Sequence, residues 1–150
     1  MQQYVNIRLI EADESFKDLS YEISKEAYYD LIARTYGWDE DRHREYHEKY
    51  WEEQRPHIIF QDEKPIGTIR LVYDDGAVEI SQFCLYPEHH NRGIGTYVLR
   101  SVLEKADKES IKTCLMCLKQ NPARLLYERH GFSTVSSDDL FYHMEREPGT

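Results

Sequence analysis

Apolar positions along the chain change their spacing several times, and each change marks an element. "YVNIRLIEA" is a β-rich run that predicts a first strand, with Asp13 or Ser15 placed to cap the helix after it. "SFKDLSYEISKEAYYDLIARTYG" then carries Leu19, Ile23, Ala27 and Leu31 at helical spacing, and Gly37 supplies a stop. A second helix is expected through "DEDRHREYHEKYWEEQ", with Tyr46, Tyr50 and Trp51 as an aromatic stripe and Pro56 closing it. From there the period shortens. "HIIFQ", "PIGTIRLVY" and "AVEISQFCLY" read as strands joined at "DEK" and "DDG", both hairpin signals. "GIGTYVLRSVLEKADKES" returns to helical spacing, with Ile94, Val98, Leu99, Val102, Leu103 and Ala106 on one face. "IKTCLMCL" predicts a strand and "NPARLLYERHG" a short helix, with Asn121 at the cap, Pro122 at its first position and Gly131 past its end. "FSTVSS" and "LFYHMERE" complete a final strand pair. The expected order is one strand, two helices, three strands, a helix, a strand, a helix and two strands. That is an α/β domain, and its central strand–helix–strand crossover implies a locally parallel pair.

Composition narrows the class. The 150 residues are 40% hydrophobic and 31% charged, with a formal net charge of -9, as in a soluble globular domain. No repeat or linker interrupts the chain, so a single domain over 1–150 is expected. No apolar run approaches the ~20 residues of a membrane helix. The N-terminus lacks the basic flank and apolar stretch of a secretion signal, so a cytoplasmic protein is expected. Net acidity argues against nucleic acid as a partner and is compatible with a cationic small molecule. "CLMC" has redox-motif spacing, but strand alternation sends Cys114 and Cys117 to opposite faces, so buried reduced thiols are expected with Cys84.

The chemistry lies in "YPEHHNRGIGTYVL". Gly93 and Gly95 flank one isoleucine at the start of a helix, where each glycine costs roughly 1 kcal/mol relative to alanine. A helix N-terminus offers unpaired N–H groups and partial positive charge to a phosphate, and glycine lets that phosphate come close. A tight strand-to-helix turn is the alternative use of the same residues. The dinucleotide fingerprint is absent, since Val98 stands at its third small position. The P-loop is absent too, since Thr96 and Tyr97 follow Gly95.

The stretch "FCLYPEHHNRGIGTYVL" resembles the acetyl-coenzyme-A (acetyl-CoA) motif of the GNAT superfamily of N-acetyltransferases. That motif is a strand ending near a proline, here Pro87, then Gln/Arg-x-x-Gly-x-Gly/Ala opening a long helix. His90 occupies the Gln/Arg place, a departure from the pattern. Downstream, "NPARLLYERHGF" is similar to the family's Asn-x-x-Ala/Ser…Tyr-x-x-x-Gly-Phe helix. The resemblance runs from about Val5 to Glu147, strongest from Ile58 onward, and "TYGWDED" resembles a subgroup of small bacterial members. It implies the GNAT fold: a mixed, mostly antiparallel sheet with a central splayed parallel pair, flanked by helices. It implies acetyl-CoA as cosubstrate, with no metal, and an amine acceptor. The diphosphate would meet His90, Asn91, Arg92, Gly93, Ile94, Gly95 and Thr96. Asn121 would contact the pantetheine arm, and Phe83, Cys84 and Leu85 would meet the acyl-pantetheine through backbone groups.

Direct transfer makes three demands. An ammonium of pKa about 10 must lose a proton before it attacks. The oxyanion of the tetrahedral intermediate needs a donor, for which Leu85 N–H is the candidate. The departing thiolate benefits from an acid, and the resemblance gives that place to Tyr127. Glu79, an acidic residue in an apolar strand, is the candidate base, with ordered water as the alternative. Alternation groups Glu79 with Ser81 and Phe83, and Ile80 with Gln82 and Cys84. The family's first two helices wall the acceptor site, which makes Trp38, Asp39 and Glu40 candidate contacts through cation–π and charge. His43 and His47 share a helix face without a third metal ligand and read as solvated. The acceptor class stays open among amino acid, polyamine, antibiotic, peptide N-terminus and protein lysine, and many relatives are homodimers. A catalytically weak acyl-CoA-binding module of the same fold is the second reading.

Overall fold

A strand that runs buried without interruption is covered on both faces, and one stretch of this chain, Ile66 to Leu71, behaves so. The computed structural model describes residues 6–149. Its elements are β1 (Ile7–Glu11), α1 (Lys17–Thr35), α2 (Glu40–Glu53), β2 (His57–Gln61), β3 (Lys64–Asp74), β4 (Ala77–Leu85), α3 (Ile94–Lys108), β5 (Lys112–Leu118), α4 (Ala123–Arg129), β6 (Ser133–Ser137) and β7 (Phe141–Arg146). Short 3-10 turns precede α1 at Glu14–Phe16 and follow β4 at Pro87–His89. This is the order that the pattern predicts. Tyr4 and Val5, placed by that pattern in the first strand, lie outside the described residues.

The strands form one sheet of order β1-β2-β3-β4-β5-β7-β6. The pairs β1–β2, β2–β3, β5–β7 and β6–β7 are antiparallel. Across the α3 crossover β4 and β5 run parallel, from Ala77 opposite Lys112 to Ile80 opposite Leu115. The chain packs as two compact units. One holds the residues up to Arg70 together with Gln82–Gly95, and the other holds Leu71–Ser81 and the chain from Thr96 onward.

In the first unit Ala12, Trp51 and Ile58 form an apolar cluster with Phe16 and Phe60 against it. Helix α1 departs from its expected face: Leu19, Ala27 and Leu31 are only half-buried, whereas Ser20, Tyr21, Ile23, Ser24 and Ile32 are buried. The reason is hydrogen bonding to α2. Ser20 Oγ lies 3.0 Å from His47 Nε2, and Ser24 Oγ lies 3.3 Å from His43 Nε2. Paired in this way, the polar groups lose little by burial. Against expectation His47 is therefore buried and not solvated, while His43 is half-buried. The aromatic stripe also divides, since Trp51 is buried while Tyr46 is exposed and stacks on Tyr50.

In the second unit the buried positions of α3 beyond its first turn are Val98, Leu99, Val102, Leu103 and Ala106, as the periodicity predicts. Arg146 donates two hydrogen bonds to the Asp107 carboxylate, at 2.8 and 3.1 Å, and a third to the His130 carbonyl at 2.9 Å. Cys117 is buried and Cys114 partly so, and all three cysteines are free thiols. Burial pushes the Cys84 and Cys117 thiols up to about 11, which suits packing and not nucleophilic chemistry. Among the described residues no helix is long and apolar enough to cross a membrane.

Candidate active site

The last residues of β4 break the alternation expected of them. Gln82 has φ 46°, a left-handed conformation costly for a residue with a side chain. Beyond it Cys84 and Leu85 are buried in succession, so burial no longer alternates at the end of the strand.

The irregular backbone is held peptide by peptide. Thr68 of β3 donates its hydroxyl to the Gln82 carbonyl at 2.8 Å. Tyr28 of α1 donates to the Phe83 carbonyl at 2.8 Å. His90 Nε2 donates to the Leu85 carbonyl at 2.9 Å, which fixes the proton on that nitrogen. Tyr86 N–H goes to the Ile66 carbonyl at 2.9 Å. Gly67 lies so close that a Cβ there would stand 2.6 Å from Leu85 Cδ2 and closer still to the Cys84 carbonyl oxygen.

The loop between β4 and α3 carries two left-handed residues. Asn91 has φ 60° and Gly93 φ 80°, with Arg92 between them outside the left-handed region. Left-handed residues at alternate positions are one way in which a chain turns successive N–H groups to one side, and this run leads into the first turn of α3. Gly93 is thus glycine for its conformation. Gly95 needs another reason, because its φ is ordinary and a Cβ on it would meet nothing within 4 Å. Neither strain nor packing within the described residues excludes a side chain there. Ile94 is buried and anchors the turn, and Thr96 is half-buried. His89 is buried, both its ring nitrogens lack a hydrogen-bond partner among the described residues, and burial lowers its pKa. Tyr86, half-buried, has its hydroxyl pKa raised by burial first and then by the carboxylates of Glu22, Glu26 and Glu88.

In the second unit Glu79 is exposed on β4, opposite Cys114 in the parallel register. Asn121 accepts from Ala123 N–H through its side-chain oxygen at 2.9 Å, but α4 begins at Ala123 with Pro122 as its cap, one position later than the sequence predicts. Tyr127 is buried and packs edge-on against Phe132 at 5.6 Å. The positive φ of Gly131, 94°, ends the helix as expected.

Trp38, Asp39 and Glu40 all take part in the helix pair. Asp39 accepts from Arg42 N–H at 3.1 Å as the cap of α2. Glu40 accepts from Lys25 Nζ at 2.7 Å, from Trp38 Nε1 at 3.0 Å and from the Tyr21 hydroxyl. Those three donors, Lys25 foremost, hold its carboxyl down to about 2. The Trp38 indole lies between Tyr29 at 5.2 Å and His43 at 4.1 Å.

A sequence model of the acetyltransferase (GNAT) family matches residues 25–132. The chain belongs to the GNAT family. An uncharacterised N-acetyltransferase of Bacillus subtilis strain 168, YjcF, is 28% identical over 90 residues, 59% of this chain. The match spans 64% of that relative's length. Among solved structures, the PaiA N-acetyltransferase of Thermoplasma acidophilum in complex with coenzyme A superposes with a TM-score of 0.76 at 18% identity, covering 94% of this chain and 98% of the other. A GNAT acetyltransferase of Elizabethkingia anophelis with acetyl-CoA bound superposes at 0.71 and 17% identity, covering 95% and 99%. These neighbours share the GNAT fold.

Sequence reasoning on this GNAT chain misses the residues that brace β4. Gly67 carries a signal, because a lone glycine inside an apolar strand marks close backbone approach. Thr68 and Tyr28 carry none, since a threonine in a strand and a tyrosine in a helix are ordinary there.

Proposed function

We propose that the chain transfers the acetyl group of acetyl-CoA to a primary amine by direct attack through a tetrahedral intermediate. The observation that carries this reading is the loop Asn91–Gly95, an alternating-φ turn into α3 in which Gly95 has no reason within the protein to be glycine. Its N–H groups, with those of His90 and Thr96, would hold the diphosphate, and the partial charge of the α3 N-terminus would add to their pull. Phe83, Cys84 and Leu85 would meet the acyl-pantetheine through backbone groups, with Leu85 N–H stabilising the oxyanion. Asn121, its carboxamide oriented by the Ala123 N–H, would bind the pantetheine arm. Tyr127 would protonate the departing thiolate, and Glu79 would take the ammonium proton. Trp38, Asp39 and Glu40 serve the acceptor by building the α1–α2 wall, since their polar groups already bind within it.

The test is an assay of released coenzyme A thiol across amino acids, polyamines, aminoglycosides, peptides and protein lysines. Turnover with one class supports the proposal. Acetyl-CoA binding without turnover on any of them leaves an acyl-CoA-binding module instead.

A further inference from the structure

We infer that Tyr28 of α1 is a positioning residue for acyl transfer: through the Phe83 carbonyl it aims the backbone N–H groups of β4 at the thioester. The inference rests on the acyl-transfer reading. In a trans peptide the carbonyl and the N–H point in opposite directions, so fixing one fixes the other. No cis peptide occurs among the described residues. The Tyr28 hydroxyl on the Phe83 carbonyl, at 2.8 Å, therefore sets the direction of Cys84 N–H. Thr68 on the Gln82 carbonyl does the same for Phe83 N–H. On the other side, the Leu85–Tyr86 peptide is held at both ends, by His90 and by the Ile66 carbonyl. The peptide carrying Leu85 N–H thus lies between two fixed neighbours, with its own carbonyl against Gly67.

This bracing answers a specific need. A left-handed Gln82 persists only where the surroundings over-determine it. An oxyanion donor acts well only if no reorganisation is needed at the moment of reaction. Hydroxyls from two separate elements, α1 and β3, close on adjacent carbonyls at this point. Tyr28 touches no reacting atom and acts through Phe83.

The experiment needs no acceptor. The full chain is loaded with acetyl-CoA labelled with carbon-13 at the acetyl carbonyl, and the stretching band is read by isotope-edited infrared spectroscopy. Wild type should show the band below its position in free acetyl-CoA, because hydrogen bonding weakens the carbonyl. In Tyr28→Phe the band should move back toward the free position, while acetyl-CoA affinity by calorimetry stays within about threefold, as expected for an interaction that strengthens toward the transition state. With an acceptor in hand, kcat should fall about tenfold to hundredfold, less than the loss of a whole oxyanion donor.

A shifted band that is the same in wild type and Tyr28→Phe overturns the inference and leaves the acyl-transfer reading standing. An unshifted band in wild type overturns that reading and the inference with it. A mere tether of α1 would lower the thermal midpoint and leave the band where wild type has it. Thr68→Val, which releases the neighbouring Gln82 carbonyl, carries the same test if Tyr28→Phe does not fold. Failure of both variants to fold also counts against the inference, since the ties would then be folding contacts.

Discussion

Three side chains, or their absence, decide whether the proposed chemistry can run. Gly95 has open space around it, so Gly95→Glu should fold with an unchanged thermal midpoint while losing acetyl-CoA binding through bulk and like charge. Calorimetry that returns wild-type affinity for the folded variant removes the diphosphate from this loop. Gly67 predicts the opposite pattern. Gly67→Ala forces a methyl onto the Cys84 carbonyl and Leu85, and overpacking of this kind costs about 1–3 kcal/mol. Denaturant unfolding should show that loss directly. Tyr127→Phe removes one oxygen and keeps the ring on Phe132. With an acceptor for which chemistry is slow, kcat should fall about 10²–10⁴ with KM for acetyl-CoA nearly unchanged. Full kcat in that variant makes Tyr127 a packing residue.

The elements were legible because their period and punctuation agree: Gly37, Pro56, Asn121 and Gly131 each stand at a boundary of the observed helices. What the pattern misreads is the inner face of α1, because hydropathy rates serine and histidine as surface residues. The buried Ser20–His47 pair and the part-buried Ser24–His43 pair arise from mutual hydrogen bonding, and only the geometry of both helices shows that they meet. The left-handed backbone at Gln82 is illegible for a similar reason, since the carbonyls of Gln82 and Phe83 are held by Thr68 and Tyr28, far away in sequence.

Burial of the histidines between α1 and α2 makes stability depend on pH. Burial first, with Lys17 and His43 adding to it, holds His47 down to about 4 against an ordinary value of 6.5, while Glu48 and Asp18 oppose the shift. His43 is lowered by burial and by Lys25, with Glu40 opposing. Between these values the unfolded chain binds a proton that the folded chain refuses, so stability rises with pH across that window. The contribution is complete above about pH 6.5 and is lost as pH falls toward 4. For His47 it is of the order of 3 kcal/mol. Thermal midpoints from pH 7 to pH 4.5 should therefore fall, and His47→Gln should flatten the fall. An equally steep decline in that variant assigns the effect to other groups.

At the scale of the whole chain, charge sets opposite demands on the two proposed substrates. A net charge of -9 attracts a cationic amine and repels the anionic cosubstrate, which on the proposed reading must reach the loop before α3 against the overall field. Added salt screens both effects. Association of acetyl-CoA should accelerate with ionic strength, and kcat/KM for a cationic acceptor should decline over the same range. Stopped-flow binding and steady-state rates at low and high salt read the two slopes, and slopes of the same sign would mean that local charges override the global field.

The chain has two tryptophans, and each lies against one histidine of the α1–α2 pairing. Trp38 faces His43 at 4.1 Å, and Trp51 stacks on His47 at 5.9 Å. An imidazolium quenches indole emission, whereas a neutral imidazole does so far less. Ultraviolet fluorescence of the unlabelled protein is therefore an optical gauge of this one helix pair. Titrated with acid, it should dim in step with protonation of the two histidines. Emission maxima would also tell a proton gained within the native hairpin from solvent reaching the indoles as the helices part.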